Sequence, residues 1–473
     1  MRNVTRVQAT YTPTGIRRFD GLPFIEALPP LPETREDLLL QLSNYPNRPS
    51  GKDRTKSEIV RIMELSSVGD VVYPFPDYGE SALELAKILR ESYVARNPFT
   101  AIDVQRRRAL ASSADTFPFP TDWKSSAQGH IMVGITGSGK STFSNAFLLR
   151  YPQLIQHTAF GDQPLVARQI VYVVLSVPHD ATLKGLCIQF FTEVDRILGD
   201  TEYSKVAKSV RTIALMVQLM HHVASIVSLG LIIVDDVQNL RAAKGANAEY
   251  LLNLFSEIVE RVGVSLFLMA TPAIDKVLTH VVRNTRKSAS SGCVALLPMA
   301  KKSDIWKAFS EAYWDYTYTH KKNRLTSDIR DAWWDASGGD PAFAALAFLL
   351  TQQNAIGRAE EVDEQGFLRT RATNMAILQP AIEALRTRKV SVLRRFDDLL
   401  FGKGYFDLMG KLKITETKGL WNPGEFDELF DTDDQAGDNQ PSGTKRSGED
   451  AGDLDFPVED PLKRYEGSGI GKK

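Results

Sequence analysis

The residues with the clearest potential for chemistry form one glycine-rich run: Gly134, Thr136, Gly137, Ser138, Gly139, Lys140, Ser141 and Thr142. Four residues separate the first glycine from a Gly-Lys-Ser triplet, which is the spacing of a loop that wraps phosphates. Glycines let backbone amides turn toward phosphate oxygens, a lysine reaches the β and γ positions, and a hydroxyl binds Mg²⁺. The run therefore predicts a binding loop for Mg²⁺ and ATP.

A pair of carboxylates follows a short apolar run further along the chain. Residues 231–234 are all apolar and are followed by Asp235 and Asp236. A strand that ends this way near a phosphate loop predicts that Asp235 and Ser141 hold Mg²⁺, and that Asp236 orients or activates the attacking water. A buried strand ending at a solvated turn explains the same pattern, but the glycine-rich run upstream favours the phosphate site.

Polar and basic residues follow the next apolar run, residues 264–270. Thr271 is predicted to sense the γ-phosphate, or to cap the next helix with Pro272 at the first helical position. Arg283 and Arg286 lie three residues apart on a helical pattern and so share a face. We expect them to act as arginine fingers in a neighbouring subunit's ATP site, which requires an oligomer, unless they form a solvated basic face.

Short apolar runs alternate with helical patterns around these groups, and this alternation predicts a parallel α/β sheet. The predicted strands are residues 130–134, 170–177, 231–235, 264–270 and 293–297. The predicted helices between them are residues 141–150, 183–198, 210–227 and 249–262.

The chain has 473 residues, more than one ordinary domain contains. We expect a mixed N-terminal extension that binds partners (1–125), a nucleotide-binding core with a five-stranded parallel sheet (126–303), a helical lid (304–400) and a C-terminal partner-binding tail (401–473). Residues 431–473 carry 11 acidic and 6 basic side chains and few large apolar ones. This composition predicts disorder beyond residue 430, because little apolar surface is available to offset the entropy of ordering.

Composition excludes several classes of protein. The 43% of hydrophobic and 24% of charged residues are ordinary for a globular protein. Cys187 and Cys293 are far apart, which argues against a disulfide scaffold or a zinc site. No apolar stretch reaches the roughly 20 residues of a membrane span, so we expect a cytoplasmic protein without membrane contact. Basic clusters at residues 54–56, 106–108 and 301–302 are candidates for DNA contact, although such runs are more often solvated faces.

Beyond these motifs the sequence resembles the TnsC family, the AAA+ regulators of Tn-seven-type bacterial transposons that are related to TniB and IstB. The resemblance lies in residues 6–11, 23–31, 93–98, 137–140, 230–240 with Gln238, 263–272 and 282–286. The two N-terminal runs are its most specific part, because unrelated ATPases have no reason to carry them.

The resemblance implies an AAA+ ATPase that forms a homo-oligomeric ring or short helical filament on duplex DNA. Such a protein receives a target-selector protein and recruits transposase subunits, which licenses integration at that site. The family usually has glutamate where this chain has Asp236, and no arginine in the helix after Asp340 serves as a second sensor. Because aspartate is one methylene shorter, we expect slow hydrolysis.

Two other functions use the same phosphate loop. A small-molecule kinase needs an acceptor pocket and an arginine-rich lid, and the long helical region after residue 304 and the arginine pair argue against it. An ATP-gated signalling scaffold would bind no nucleic acid. A kinase would keep its small particle size when a slowly hydrolysed ATP analogue is added. DNA-stimulated ATP turnover would distinguish the DNA-binding regulator from the scaffold.

Overall fold

The computed structural model describes residues 4–112, 117–243, 247–272 and 289–387, which all belong to one compact unit, Met1–Leu420. Arg283, Arg286 and the predicted C-terminal tail lie outside the described residues. Within these ranges, none of the helices is both long and apolar enough to cross a lipid bilayer.

Two sheets order the chain, and their strands are β1 (Arg6–Gln8), β2 (Gly129–Gly134), β3 (Leu154–Phe160), β4 (Gln163–Ile170), β5 (Tyr172–Ser176), β6 (Leu231–Asp235), β7 (Ser265–Ala270) and β8 (Cys293–Leu296). The larger sheet has five parallel strands in the order β5-β6-β7-β2-β8. This confirms the predicted fold class and puts β7 between the strand of the glycine-rich loop and the strand of the acidic pair. Strands β2 and β7 are buried along their whole length, which explains why they read as continuous apolar runs.

The smaller sheet was not predicted. Strand β1 pairs in parallel with β3, and β3 pairs with β4 in an antiparallel hairpin that turns at Gly161. The three residues of β1 are exposed and are held through backbone pairing, so no apolar pattern marks them. The Arg6 guanidinium also donates to the carbonyl of Ile197. One of the two specific N-terminal runs is therefore an integral part of the fold.

Eleven helices precede β8 among the described residues: α1 (Pro23–Glu26), α2 (Arg35–Leu42), α3 (Gly51–Arg54), α4 (Glu58–Glu64), α5 (Pro76–Val94), α6 (Ala101–Ala111), α7 (Lys140–Leu148), α8 (Leu183–Leu198), α9 (Glu202–Ser209), α10 (Ile213–Ile226) and α11 (Asn247–Glu257). Helices α8, α10 and α11 cover one face of the large sheet in a common apolar cluster. Helix α5, with Pro76 at its start, covers the other face through Leu85, Ile88 and Leu89. The N-terminal extension therefore shares the core of the nucleotide-binding sheet.

The chain after β8 is helical in its described part, with α12 (Asp304–Trp314), α13 (Ser327–Ser337), α14 (Pro341–Ala355), α15 (Glu364–Ala372) and α16 (Gln379–Thr387). The sequence pattern predicted helix throughout this region, whereas residues 315–326 and 356–363 form connections without helix. Aromatic side chains fill the lid core, with the rings of Trp333 and Phe348 stacked at 4.8 Å. Leu65, Val68 and Val71 of the N-terminal extension lie in the same cluster, so the extension packs on both the sheet and the lid.

Candidate nucleotide site

The glycine-rich loop joins the end of β2 to the start of α7. Gly137 and Gly139 both have a φ of 94°, a left-handed conformation that residues with a Cβ rarely adopt. Helix α7 begins at Lys140, directly after Gly139. The sequence therefore produces a tight turn followed by a helix N-terminus, the arrangement that presents backbone amides and a positive dipole to an anion.

Lys140 lies inside this loop. Its ammonium donates to the carbonyl oxygens of Gly134 at 2.7 Å and Ile135 at 2.9 Å, and the residue is 8% exposed. Burial lowers the pKa of Lys140, and the carboxylates of Asp235 and Asp340 oppose that shift. The loop therefore contains a desolvated positive charge, and its only hydrogen-bond partners in the described structure are two neutral carbonyls.

Ser141 and Asp235, the predicted metal ligands, meet at the ends of α7 and β6. The Ser141 hydroxyl donates to Asp235 Oδ2 at 3.3 Å, and the other carboxylate oxygen accepts from the Asp236 amide at 2.8 Å. Burial is the main cause of a raised pKa at Asp235, and the charge of Asp236 adds to it. A hydroxyl and a carboxylate brought together fit the oxygen ligands that Mg²⁺ prefers.

Asp236 has a φ of 55°, and its carboxylate is held from two sides. The Ser176 hydroxyl donates to Oδ2 at 2.9 Å, and the Gln238 amide donates to Oδ1 at 3.0 Å. Gln238 also accepts from the backbone N–H of Thr271 at 3.1 Å. Gln238 thereby connects the acidic end of β6 to the polar end of β7, a role that its sequence position did not reveal.

The remaining predicted residues differ in their surroundings. Thr136 and Thr142 are exposed, whereas Ser138 is 4% and Thr271 is 6% exposed. Neither the Ser138 hydroxyl nor the Thr271 hydroxyl has a hydrogen-bond partner within the described part of the chain. Buried hydroxyls without partners are uncommon, and two of them after the paired ends of β2 and β7 fit a site for a polar ligand. The helix-capping alternative for Thr271 concerns residues after Pro272 that lie outside the described ranges.

Two further residues of this site were missed by sequence reasoning. The Tyr78 hydroxyl, on α5, donates to the carbonyl of Gly139 at 3.0 Å. The Asp340 carboxyl, at the start of α14, lies against Gly137: a Cβ placed on that glycine would be 2.6 Å from Asp340 Oδ1. A helix start was visible at Asp340-Pro341, but nothing in the spacing indicated that either side chain reaches the loop.

The basic clusters proposed for DNA contact are largely engaged within the protein. Arg106 is fully buried, pairs with Asp103 at 2.8 Å and donates to the carbonyl of Val262. Lys301 pairs with Asp335 at 2.8 Å. Lys56 forms ion pairs at 2.9 Å and 2.7 Å with two acidic residues of its own segment. These side chains stabilise the fold, so the clusters give little support for a DNA surface.

The geometry defines a class of protein. A glycine-rich loop with a buried lysine, an acidic pair on a nearby strand and a polar strand end between them make the fold that of an AAA+ P-loop ATPase with a helical lid. Residues 124–278 match the family model described as the AAA domain. No curated protein matches the sequence.

Solved structures similar to this chain include three archaeal proteins. ORC1 of Aeropyrum pernix in complex with DNA is 14% identical, with a TM-score of 0.36 over 73% of this chain and 85% of that one. The Walker-type ATPase PABY2304 of Pyrococcus abyssi is 11% identical, with a TM-score of 0.37 over 69% and 87%. Cdc6p of Pyrobaculum aerophilum is 14% identical, with a TM-score of 0.34 over 58% and 67%.

Proposed function

We propose that this chain is an ATP-driven AAA+ switch that assembles on duplex DNA and regulates DNA transposition. The observation that carries the proposal is the meeting of Lys140, Ser141, Asp235 and Asp236 at one edge of the parallel sheet. These four side chains supply the cation, the metal ligands and the general base that ATP hydrolysis requires.

Each residue has a distinct task in this proposal. Lys140 would exchange its carbonyl partners for phosphate oxygens, and Ser141 and Asp235 would hold Mg²⁺. When bound, Mg²⁺ would supply charge neutralisation on the phosphates. Asp236 is kept in one orientation by Ser176 and Gln238, so that its carboxylate can accept a proton from the attacking water. Thr271, whose hydroxyl has no partner among the described residues, is the γ-phosphate sensor at the end of β7 in this proposal.

The DNA and transposition part of the proposal rests on the resemblance of the sequence to the TnsC family. In that reading the chain forms a ring or short helical filament, receives a target-selector protein and recruits transposase subunits. Repetition of a weak contact around a ring gives useful affinity for DNA, so a strongly basic surface on one subunit is not required. Arg283 and Arg286 would complete the ATP site of the neighbouring subunit.

Sedimentation of the full chain with and without duplex DNA, in the presence of Mg²⁺ and a slowly hydrolysed ATP analogue, tests the proposal. We expect a large particle only when both DNA and nucleotide are present. Lys140→Ala should abolish nucleotide binding and with it the large particle, because the charge facing the phosphates is removed. Lys208→Ala, which changes an exposed lysine on α9, is the matched control and should assemble normally.

The same proteins discriminate the other functions. A chain that stays small under all conditions while transferring phosphate to a small acceptor would be a kinase. ATP turnover that duplex DNA does not change would favour a scaffold without nucleic acid. Stimulated turnover together with DNA-dependent recruitment of a transposase would support the proposed role, and assembly unchanged by Lys140→Ala would contradict the role of ATP.

A further inference from the structure

Asp340 brings a carboxyl from the lid to the phosphate loop. The residue is fully buried, and its two carboxyl oxygens would lie 2.6 Å and 3.0 Å from a Cβ placed on Gly137. A Cβ at position 137 would force this carboxyl to shift, and the φ of 94° there also favours glycine. The lid and the loop are therefore in direct contact through one acidic group.

The N-cap of α14 uses only one of the two oxygens of this carboxyl. Oδ1 accepts from the backbone N–H of Phe343 at 3.1 Å, which is an ordinary N-cap bond. Oδ2 is buried and has no partner among the residues described. Asp363 caps α15 in the same way, but it is partly exposed. The comparison shows that a helix cap does not by itself require the burial of Asp340.

The groups around Asp340 stabilise its negative charge only weakly. Lys140, from the phosphate loop, is the cation that acts on it, and Lys140 is shared with Asp235 and Asp236 at the end of β6. Tyr78 faces it from α5 as a neutral hydroxyl. Burial raises the pKa of Asp340 to about 7, against the opposing effects of the backbone amides of Phe343 and Ala342 and the charge of Lys140.

We propose that Asp340 is the residue through which the lid responds to nucleotide: a triphosphate in the loop makes Asp340 take up a proton. Phosphate oxygens bring negative charge beside a buried carboxyl and withdraw Lys140 from it, and both changes disfavour the ionised form. The proton comes from the buffer and binds Oδ2, the oxygen without a donor. The protonated carboxyl keeps the cap at Oδ1 and with it its place against Gly137. This inference rests on the proposed ATP binding.

Isothermal titration calorimetry of the full chain tests it, using Mg²⁺ and a slowly hydrolysed ATP analogue at pH 7.5 in buffers of different ionisation enthalpy. The dependence of the binding heat on the buffer gives the number of protons taken up. A carboxyl with a pKa of about 7 is mostly ionised at this pH, so we expect uptake of up to about 0.8 proton per nucleotide. Asp340→Asn keeps the cap, because asparagine caps helices as well as aspartate, and should lose this uptake.

The pH dependence of affinity gives a second reading. In the parent protein the affinity should fall as the pH rises above 7, whereas Asp340→Asn should bind about 10-fold more tightly than the parent at pH 8.5. Titration of Lys140 and of the nucleotide is common to both proteins and cancels in the comparison. Asp363→Asn is the matched control and should behave like the parent.

The outcomes separate the two proposals. If neither the parent nor Asp340→Asn binds the nucleotide, the proposed function fails. If both bind it with equal proton uptake, or if the parent takes up no proton at pH 7.5, the inference about Asp340 is overturned while the proposed function is not.

Discussion

Asp236 is the residue on which the proposed hydrolysis depends, and its backbone explains why this position tolerates aspartate. A φ of 55° is costly for most side chains, but aspartate and asparagine adopt it more readily than others. Its carboxylate is oriented by Ser176 and Gln238. An amide in its place keeps the backbone and the size of the side chain, can accept from Gln238 through its oxygen and donate to the Ser176 hydroxyl, and removes the ability to accept a proton.

Asp236→Asn should bind the ATP analogue and DNA like the parent, and hydrolyse ATP about 100-fold more slowly or worse. Single-turnover hydrolysis measures the effect. Ser176→Ala keeps the carboxylate and removes one of its donors, so we expect a smaller loss of about fivefold to tenfold. Asp236→Asn turning over at the parental rate would show that another group activates the water.

At the scale of elements, helix α5 connects the core of the sheet to the phosphate loop. Two buried tyrosines on it donate to backbone carbonyls: Tyr93 to Ser228 at 3.1 Å and Tyr78 to Gly139 at 3.0 Å. The Gly139 carbonyl also accepts from the Phe143 N–H at 2.8 Å, the first turn of α7. Because the two ends of a peptide group point in opposite directions, fixing this carbonyl also fixes the Lys140 amide.

Tyr78→Phe should weaken nucleotide binding about twofold to tenfold, since one buried hydrogen bond that orients the loop is lost. Tyr93→Phe is a matched control, because it removes an equivalent bond from the same helix at a distance from the loop. Fluorescence titration with a labelled ATP analogue gives both affinities, and thermal denaturation gives both stabilities. Equal stability losses with unequal affinity losses would support a positioning role; equal affinities would exclude it.

A second pair of elements, α4 and the lid, is joined by a buried ion pair. The Arg61 guanidinium donates to both oxygens of Glu360 at 2.7 Å and 2.8 Å, and also to the carbonyl of Tyr318. Arg61 is 2% exposed, so its charge depends on this partner. The hydrogen bond with Arg61 is the main cause that lowers the pKa of Glu360 to about 2.

Glu360→Gln should lower the free energy of unfolding at pH 7 by about 1.5–3 kcal/mol, since hydrogen bonds to a charged group are lost from a buried arginine. Urea denaturation followed by tryptophan fluorescence measures it. A carboxylate with a lowered pKa stabilises the folded state above its ordinary pKa of 4.5, and that contribution is lost as the pH falls toward 2. The difference in the free energy of unfolding between Glu360→Gln and the parent should therefore narrow as the pH falls from 4.5 toward 2.

Glu361→Gln is the control for this ion pair, because Glu361 is 39% exposed and lies 3.7 Å from Lys321. Such exposed pairs contribute little to stability. If Glu361→Gln lowers the free energy of unfolding as much as Glu360→Gln does, burial of Arg61 does not determine the size of the effect.

At the scale of the whole molecule, the N-terminal extension links the sheet to the lid. Its helix α5 packs on the sheet, while Leu65 to Val71 pack in the lid core. The rings of Phe75 and Phe309 stack at 5.9 Å between the extension and α12. A displacement of the lid would therefore reach the extension directly, which suits a protein that transmits its nucleotide state to partners.

The proposed assembly predicts that subunits complement one another. Arg283→Ala or Arg286→Ala should bind nucleotide but lose turnover, and so should Asp236→Asn, which is still expected to assemble. In an equal mixture of an arginine variant and Asp236→Asn, about a quarter of the interfaces pair an intact Asp236 with an intact arginine, so turnover should return to roughly that share. Steady-state hydrolysis of the mixtures measures it, and Arg358→Ala, an exposed lid arginine, is the control. No recovery on mixing would exclude arginines acting between subunits.

The sequence by itself determined the fold class, the phosphate loop and the acidic pair. The strands of the large sheet lie within one or two residues of their predicted positions because each is a continuous apolar run bounded by helical patterns. Lys140 and Asp235 were identifiable because loop spacing and the end of a buried strand are local features. The roles of the predicted site residues stay predictions.

Only the tertiary structure decided which distant side chains complete the site. Tyr78 is 61 residues from Gly139 in the sequence. Asp340 lies in the lid, far along the chain from Gly137, so no local spacing connects these two residues. The β1–β3 pairing joins exposed residues through backbone hydrogen bonds, and Arg106, whose cluster read as a solvated face, donates to the carbonyl of Val262, 156 residues away. In each case the determining contact is between residues far apart in the chain, and local periodicity carries no information about such contacts.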